Sequence, residues 1–488
     1  MVGLPSVLLA EMSAARVKAD TIRLTLERTI AIARSNSVEA ATALNELRTA
    51  YWQYRTFRAD LLPEVTFKAT LPSYNRRYNS YQNSDGSYTF VPDDNILLTG
   101  QVSLSQRIWL TGGTVSLTSS LDWRRQLSGI RSNSFMSIPV ALTLNQPLFA
   151  VNDVKWSRKI EPERYAEARA KFISDSEAVA MTAIRYFFDM LIARENLECS
   201  RQNMQNAEKL YEVARAKRSM GQISENDVLQ IELTLINARS EMTENESTLR
   251  SCTFQLGSFL GLGEDAGVIE LVVPGRISEK NVDFAEALEK ANANNAFARN
   301  IRRRQMEADY EVAKAKGNMR QINLFAQIGY TGSDNMIGGA YRNLRDNQVA
   351  EVGISVPILD WGKRRAAVKM AESSRELTRN QIRKESQDFD QNLFLLVERF
   401  NNQKEQLRLA ERAGQIATRR YDTNVETFMI GRISTLDLND SQQSKDTARR
   451  NELSELFYYW YYYYQLRNVT LWDFELASPV DADIEAVL

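Results

Sequence analysis

The sequence predicts a mixed α/β chain built as two copies of one long unit, each combining amphipathic β-strands with helices of about sixty residues. Three observations carry that prediction. Met220-Gly-Gln-Ile-Ser-Glu-Asn-Asp-Val-Leu229 recurs as Ile430-Gly-Arg-Ile-Ser-Thr-Leu-Asp-Leu-Asn439, 210 positions later, and Pro147-Leu148-Phe149 recurs as Pro357-Ile358-Leu359 at the same offset. Several segments of about ten residues alternate apolar and small polar side chains. Long stretches repeat apolar residues at spacings of three and four.

In chain order, Leu24 to Leu61 reads as a helix, with Leu26, Ile30, Ala33, Leu44, Leu47 and Tyr51 at helical spacing and Pro63 as the stop. Val65, Phe67, Ala69 and Leu71 then alternate, and a Tyr/Asn/Ser-rich loop is expected over 72–96. Three further strands are read from Val102, Leu104 and Ile108, from Val115, Leu117, Leu121 and Trp123, and from Ile138, Val140, Leu142 and Leu144. Each is the length that a tilted strand needs to cross a bilayer.

Lys155 to Lys217 is a long helix. Ala183, Phe187, Met190, Arg194, Leu197, Arg201, Met204, Glu208, Tyr211 and Arg215 are spaced as a supercoil seam. Gly221 breaks it, and Ser224 with Asp227 forms the capping box of the next helix, to about Phe259. The second copy repeats the order: a helix from Phe284 to Lys316, strands around Ile322 to Tyr330 and Val352 to Ile358, then helices Gly362 to Tyr421 and Ser434 to Arg467. The expected organisation is a first repeat over 22–260, a connector over 261–279, a second repeat over 280–472 and a polar tail over 473–488.

Composition excludes several function classes. Histidine is absent, which removes His-based triads, general bases and metal sites. Cys199 and Cys252 stand 53 positions apart and make no ligand cluster; buried small hydrophobes are one reading and a disulfide the other. A net charge of -1 offers no basic field for nucleic acid. Arg302-Arg303-Arg304 and Arg364-Arg365 read as solvated faces or flanks of helices, and Gly112-Gly113 as a turn, since no phosphate-loop lysine follows. No apolar run approaches the roughly 18 to 20 residues of a transmembrane helix. Met1 to Ala10 is apolar without a basic n-region and reads as a poor secretory signal, with no early Cys for a lipid anchor.

Strands can cross lipid only as a closed barrel, because every backbone polar group must be paired. Four strands in the first copy and two in the second are too few for one chain to enclose a wide pore, so closure calls for several chains related by symmetry. Both helix sets leave from one face, so each strand group crosses an even number of times. That puts loops 72–96, 124–134 and 331–347 on the far side and the short Leu110 to Gly113 turn on the helix side. A soluble sheet decorated with coiled coils is the alternative, but it gives no reason for long helices that reverse at two matched tips.

From about residue 22 to 472 the sequence resembles the TolC-type outer membrane efflux protein family. The resemblance rests on Leu61-Leu-Pro-Glu-Val65, Gln146-Pro-Leu-Phe149, Val356-Pro-Ile-Leu-Asp-Trp-Gly-Lys363 and both Gly-x-Ile-Ser tips, in that order and spacing. It implies a homotrimer with a transmembrane antiparallel β-barrel in the outer membrane, continuous with a long periplasmic α-helical barrel. It further implies docking onto a periplasmic adaptor (membrane fusion) protein and an inner-membrane transporter, and passive export in a tripartite efflux or type I secretion system. No catalytic site and no cofactor are expected. A non-conducting periplasmic coiled-coil structural protein is the alternative function. The family's usual two strands per repeat are exceeded in the first repeat, so an eighteen-strand barrel is expected, marked by strands over both 97–108 and 113–123.

Under this resemblance Asp437 and Asp440 match aspartates that ring the periplasmic constriction of the best-known family member, where six carboxylates would surround a threefold axis and select cations. Asp437 also stands where a capping box with Ser434 needs a carboxylate, as Asp227 does with Ser224. Met220, Gly221, Gln222 and Ile223, with Ile430, Gly431, Arg432 and Ile433, form the exposed tips, for adaptor docking or for packing between adjacent hairpins. Tyr458 to Tyr464 is seven aromatic residues in succession and cannot occupy one helical face; a packing layer, a membrane interface and substrate contact are the readings. Trp109 and Trp123, near strand ends, are candidate anchors in outer-membrane lipid.

Overall fold

Both copies fold to the same order of long helices, around four sheet strands in the first and two in the second, in the computed structural model, which describes residues 22–129, 131–262, 269–276, 280–319, 321–342, 344–355, 359–429, 432–433 and 435–480. In the first copy α1 (Leu26–Asn36) and α2 (Val38–Ala59) have 11 and 22 residues, as do α5 (Phe284–Asn294) and α6 (Ala296–Gly317) in the second. The long helices α3 (Asp153–Ser219) and α8 (Lys363–Met429) have 67 residues each, and their return helices α4 (Glu225–Phe259) and α9 (Thr435–Thr470) have 35 and 36. The single helix expected over 24–61 is therefore two, as is its counterpart. Each break falls on a capping residue with extended backbone. Ser37 Oγ accepts the Ala40 N–H at 3.1 Å, and Asn295 Oδ1 accepts the Phe297 N–H at 2.7 Å.

The chain divides into two compact units. One comprises Thr49–Glu167 and Arg299–Ser386. Its centre is one antiparallel sheet in the order β2 (Glu64–Gln82), β3 (Tyr88–Arg107), β4 (Thr114–Gln126), β5 (Ser132–Pro147), β7 (Gln321–Asp334) and β8 (Leu344–Ser355). A four-residue helix, α7 (Ile337–Ala340), stands in the β7–β8 connection. The expected hairpin over 97–108 and 113–123 is present, turned at Gly112 with φ +76. The segment 72–96 differs from expectation. It is mostly strand, paired from Ser73↔Leu97 to Gln82↔Tyr88 around a turn at 83–87. Both faces of this ribbon are polar or aromatic, so the apolar alternation that marks a strand is missing from the sequence there.

Asp93 ties the base of that ribbon to β4. Its buried carboxylate accepts from Arg77 Nε (3.1 Å), Asn79 Nδ2 (3.3 Å), Asn95 Nδ2 (3.1 Å), Arg124 Nη2 (2.8 Å) and Gln126 Nε2 (3.0 Å). Five donors saturate the lone pairs of one carboxylate.

The other unit holds residues up to Arg48, Ala168–Ala298 and Gln387 onward. Its core packs Leu26, Ile30 and Ala33 of α1 with Ala183, Phe187 and Phe188 of α3, and with Leu393 and Phe400 of α8. The connector is not only loop: β6 (Ile269–Leu271) pairs in parallel with β1 (Ile22–Leu24). The polar tail likewise begins with ordered structure, β9 (Trp472–Asp473) paired with β10 (Ser478–Pro479), and Asp473 is buried.

A buried charge network ties these pieces. Glu177 on α3, 1% exposed, receives Arg34 Nη2 of α1 at 2.5 Å and Arg467 Nη2 of α9 at 3.3 Å. Arg467 Nη1 also reaches Asp473 Oδ2 at 3.0 Å, and the Tyr463 hydroxyl donates to Asp473 Oδ1 at 2.6 Å. Burial pushes the Glu177 carboxyl upward against the pull of Arg467 and Arg34. Burial acts on Asp473 in the same sense, but the Tyr463 hydroxyl, backbone N–H groups and Arg467 hold it below the usual carboxylate value.

The α3 seam follows the expected apolar residues in its first half. Ala183, Phe187, Met190 and Leu197 are buried, but Arg194 between them is exposed, and beyond them the buried positions are Ser200, Ala207 and Ala214, while Arg201 and Arg215 face solvent. Small residues seven apart line this stretch of α3, and longer polar side chains beside them reach α9. Asn203 and Asn206 of α3 meet Asp446 and Gln442 of α9 at 3.4 and 3.3 Å.

Candidate functional site

The sheet presents two chemically distinct faces. Register places Val65, Leu104, Leu117, Leu142 and Ile328 in one row across five strands. All five are apolar, and their relative exposures run from 38 to 68%. The adjacent row on the opposite face is Thr66, Ser103, Thr118, Ala141 and Gly329, small and mostly polar. Thr66 and Ser103 share a hydroxyl hydrogen bond at 2.7 Å, and Ser105 and Ser116 another at 3.1 Å. The sheet is open: among the described residues β2 and β8 each have one unpaired edge. An exposed apolar face beside unpaired edges is an unstable state in water. Among the described residues no helix is long and apolar enough to cross a membrane.

Trp123 belongs to the apolar side, flanked in register by Leu98 and Phe135. Trp109 stands in the β3–β4 turn with the Arg158 guanidinium 4.7 Å over its ring. Within the aromatic run, Tyr459 and Tyr463 are buried against Phe400, whereas Tyr458 is 43% exposed and stacks on Tyr462. Part of the run is therefore core and part surface.

At the first tip Gly221 takes φ +74, and the Gln222 N–H closes onto Lys217 O at 3.0 Å. The second tip repeats that bond 210 residues on, from Arg432 N–H to Thr427 O at 3.1 Å. At the first tip this is the wide turn that ends a helix in a left-handed residue. Ser224 Oγ accepts the Asp227 N–H at 3.2 Å, and Asp227 Oδ2 accepts both the Ser224 hydroxyl at 2.7 Å and the Ser224 N–H at 3.0 Å, which hold the Asp227 carboxyl below its usual value. Met220 is 62% exposed, Gln222 and Arg432 are exposed, and Ile223 and Ile433 are half-buried. Ile430, Gly431 and Ser434 lie outside the described residues.

Asp437 and Asp440 both sit in the first turns of α9 and are exposed. Asp440 Oδ2 pairs with Arg420 Nη2 of α8 at 2.6 Å, and Asn424 Nδ2 of the next α8 turn donates to the Asp437 carbonyl at 3.4 Å. No local spacing points to Arg420, which precedes Asp440 by twenty positions and meets it only because α8 and α9 run antiparallel. No group of His, Cys, Asp and Glu side chains among the described residues could hold a metal ion.

Comparison with known proteins agrees with this geometry. The family model for outer membrane efflux proteins matches residues 107–262 and 289–455. Comparison with curated protein sequences returns no match. Among solved structures, the Campylobacter jejuni CmeC outer membrane channel is 13% identical with a TM-score of 0.66, over 94% of this chain and 88% of that one. The Vibrio cholerae outer membrane protein VceC is 14% identical with a TM-score of 0.63, over 93% and 97%. The Neisseria gonorrhoeae MtrE outer membrane channel, in its open state, is 13% identical with a TM-score of 0.59, over 91% and 88%. An open two-faced sheet joined to paired long helices is the framework of an outer-membrane conduit. The chain belongs to the outer membrane efflux protein family. It is an outer-membrane channel of an efflux or secretion system and not an enzyme, which sets aside the non-conducting structural reading.

Proposed function

We propose that three copies of the chain close their six-stranded sheets into one eighteen-stranded barrel, edge β8 of each copy pairing with edge β2 of the next. The helical hairpins then line a periplasmic path whose end meets an adaptor protein and an inner-membrane transporter. The observation that carries this reading is the apolar row Val65, Leu104, Leu117, Leu142 and Ile328. In a closed barrel it faces lipid, and the hydroxyl-rich row faces the water-filled lumen. Trp109 and Trp123 sit at the two interfaces. Energy for export comes from the partner transporter; the cargo class is set there too.

In this assembly Asp437 and Asp440 form the periplasmic constriction. The Arg420 pair offsets part of the Asp440 charge within each chain. Asp437→Asn and Asp440→Asn are each expected to lower cation over anion permeability in planar bilayers, and Arg420→Gln is expected to raise it. Equal permeability ratios in parent and Asp437→Asn channels would remove Asp437 from the constriction.

The tips dock the adaptor. A Cβ at Gly221 meets nothing within 4 Å, so the penalty of a side chain there is purely that of the left-handed backbone, about 1–2 kcal/mol. Gly221→Val is expected to insert normally into the membrane while site-specific cross-linking from Gln222 to the adaptor falls severalfold. Cross-linking at the parent level would separate the tip conformation from docking.

A further inference from the structure

At the end of the sheet where the chain meets α2, α3, α6 and α8, each connection exposes a large apolar side chain. Leu62 lies between α2 and β2, Trp109 and Leu110 in the β3–β4 turn, Phe149 between β5 and α3, and Leu359 and Trp361 between β8 and α8. Their relative exposures are 64, 53, 67, 54, 69 and 89%. These connections are tied side to side. Gln106 Nε2 donates to Leu61 O at 3.0 Å, Gln146 Nε2 to Thr111 O at 3.1 Å, Asn152 Nδ2 to Trp109 O at 2.9 Å and Arg364 Nη1 to Met319 O at 3.2 Å. Backbone carbonyls at this level are thus satisfied laterally, and the apolar side chains are left uncovered on a fixed rim.

Trp361 is the extreme case. Its φ of +50 lies in a region that bulky L-residues rarely adopt. Asp360 holds it there, accepting the Gly362 N–H at 2.9 Å and the Arg364 N–H at 3.2 Å. The fold thus fixes an uncommon backbone conformation and gains almost no contact from the side chain it presents.

Basic residues follow on the helix side: Arg58 at the end of α2, Lys155 and Lys159 at the start of α3, Lys363 and Arg365 at the start of α8. All five are exposed. Positive charge in the first turns of α3 and α8 opposes the helix dipole, so helix stability does not explain it. Of the carboxylates at this level, Asp153 accepts the Tyr310 hydroxyl at 3.0 Å and Asp360 caps backbone N–H groups, while Asp60 and Glu64 beside Leu62 are exposed and leave the basic residues in excess. An apolar tier followed within two turns by a basic tier is the pattern that suits a leaflet boundary carrying anionic headgroups.

We propose that this rim binds anionic phospholipid of the inner leaflet of the outer membrane and fixes the depth of the barrel. The proposal rests on the barrel reading above and adds a lipid class and a set of residues to it. The test reconstitutes the full chain in vesicles of equal parts phosphatidylcholine and phosphatidylglycerol, with one or the other brominated, and compares tryptophan quenching in the parent, W361F and W123F. The emission lost in W361F should be quenched by lipid. Brominated phosphatidylglycerol should compete at least about threefold better than phosphatidylcholine for that site. In the quadruple variant K155Q/K159Q/K363Q/R365Q the ratio should fall to near one. Quenching at Trp123 without quenching at Trp361 would overturn the rim and leave the barrel standing. Equal quenching by the two lipids in the parent would overturn the preference for anionic headgroups. If neither tryptophan is quenched, the barrel reading fails and the rim with it.

Discussion

Arg467→Ala is expected to lower the stability of the folded protein by about 3–5 kcal/mol, the scale for removing one partner from a buried ion pair. Arg467 is the one side chain that touches both Glu177 and Asp473 among the described ion pairs, and those carboxylates are 1% and 8% exposed. Without it Glu177 retains Arg34, and Asp473 retains the Tyr463 hydroxyl and two backbone N–H groups. Thermal denaturation of the reconstituted protein checks the loss.

The pH dependence of the variant follows with a definite sign. The Glu177 carboxyl is already raised above its ordinary 4.5 by burial, and loss of Arg467 raises it further. A folded state that holds its proton more tightly than the unfolded chain gains stability as pH falls through the folded-state value. The deficit of Arg467→Ala relative to the parent should therefore shrink on acidification towards 4.5. Asp473 acts in the opposite sense: its lowered carboxyl contributes stability above the ordinary range and loses it only as pH falls through its own folded value, which lies lower. A deficit that grew on mild acidification would show that Glu177 is not the group left uncompensated.

Leu117→Arg is expected to abolish insertion. Leu117 is in the middle of the apolar row, paired with Leu104 on one side and Leu142 on the other. A lipid-facing arginine near the bilayer midplane costs about 2–4 kcal/mol per chain, and a symmetric trimer bears the cost three times. The neighbouring Thr118→Arg supplies the control, because period-two geometry turns it to the opposite face. Thr118→Arg should reach the membrane and alter conductance, whereas Leu117→Arg should remain outside the membrane fraction. The same outcome for both variants would mean that the two faces do not see different solvents.

These expectations show which physical signals a sequence carries. The strands β3, β4 and β5 were legible because one face is apolar and the other hydroxylated, and Gly112 marks their first turn. The first tip was legible from Gly221 followed by Ser224 and Asp227, each of which acts within a few residues of itself. The ribbon over 72–96 was not, since Tyr, Asn and Ser on both faces erase the alternation, and Asp93 gathers its five donors from three strands. The helix breaks at Ser37 and Asn295 lack Gly or Pro; only their capping side chains betray them. The α3 seam departs from the expected residues at Arg194, Arg201 and Arg215, and beyond Leu197 its buried positions are Ser200, Ala207 and Ala214, small residues that periodicity of apolar side chains overlooks. Arg420 beside Asp440, and Arg467 between Glu177 and Asp473, are products of antiparallel packing and chain return, which local spacing does not encode.

Nitroxide labels at Val102, Ser103, Leu104 and Ser105 in the reconstituted channel test the two-faced wall most directly, through their collisions with oxygen and with a water-soluble nickel complex. Oxygen accessibility should peak at 102 and 104, and nickel accessibility at 103 and 105. Uniform accessibility along the four positions, or the reverse alternation, would contradict a sheet whose apolar row faces lipid and whose hydroxyl row faces the lumen.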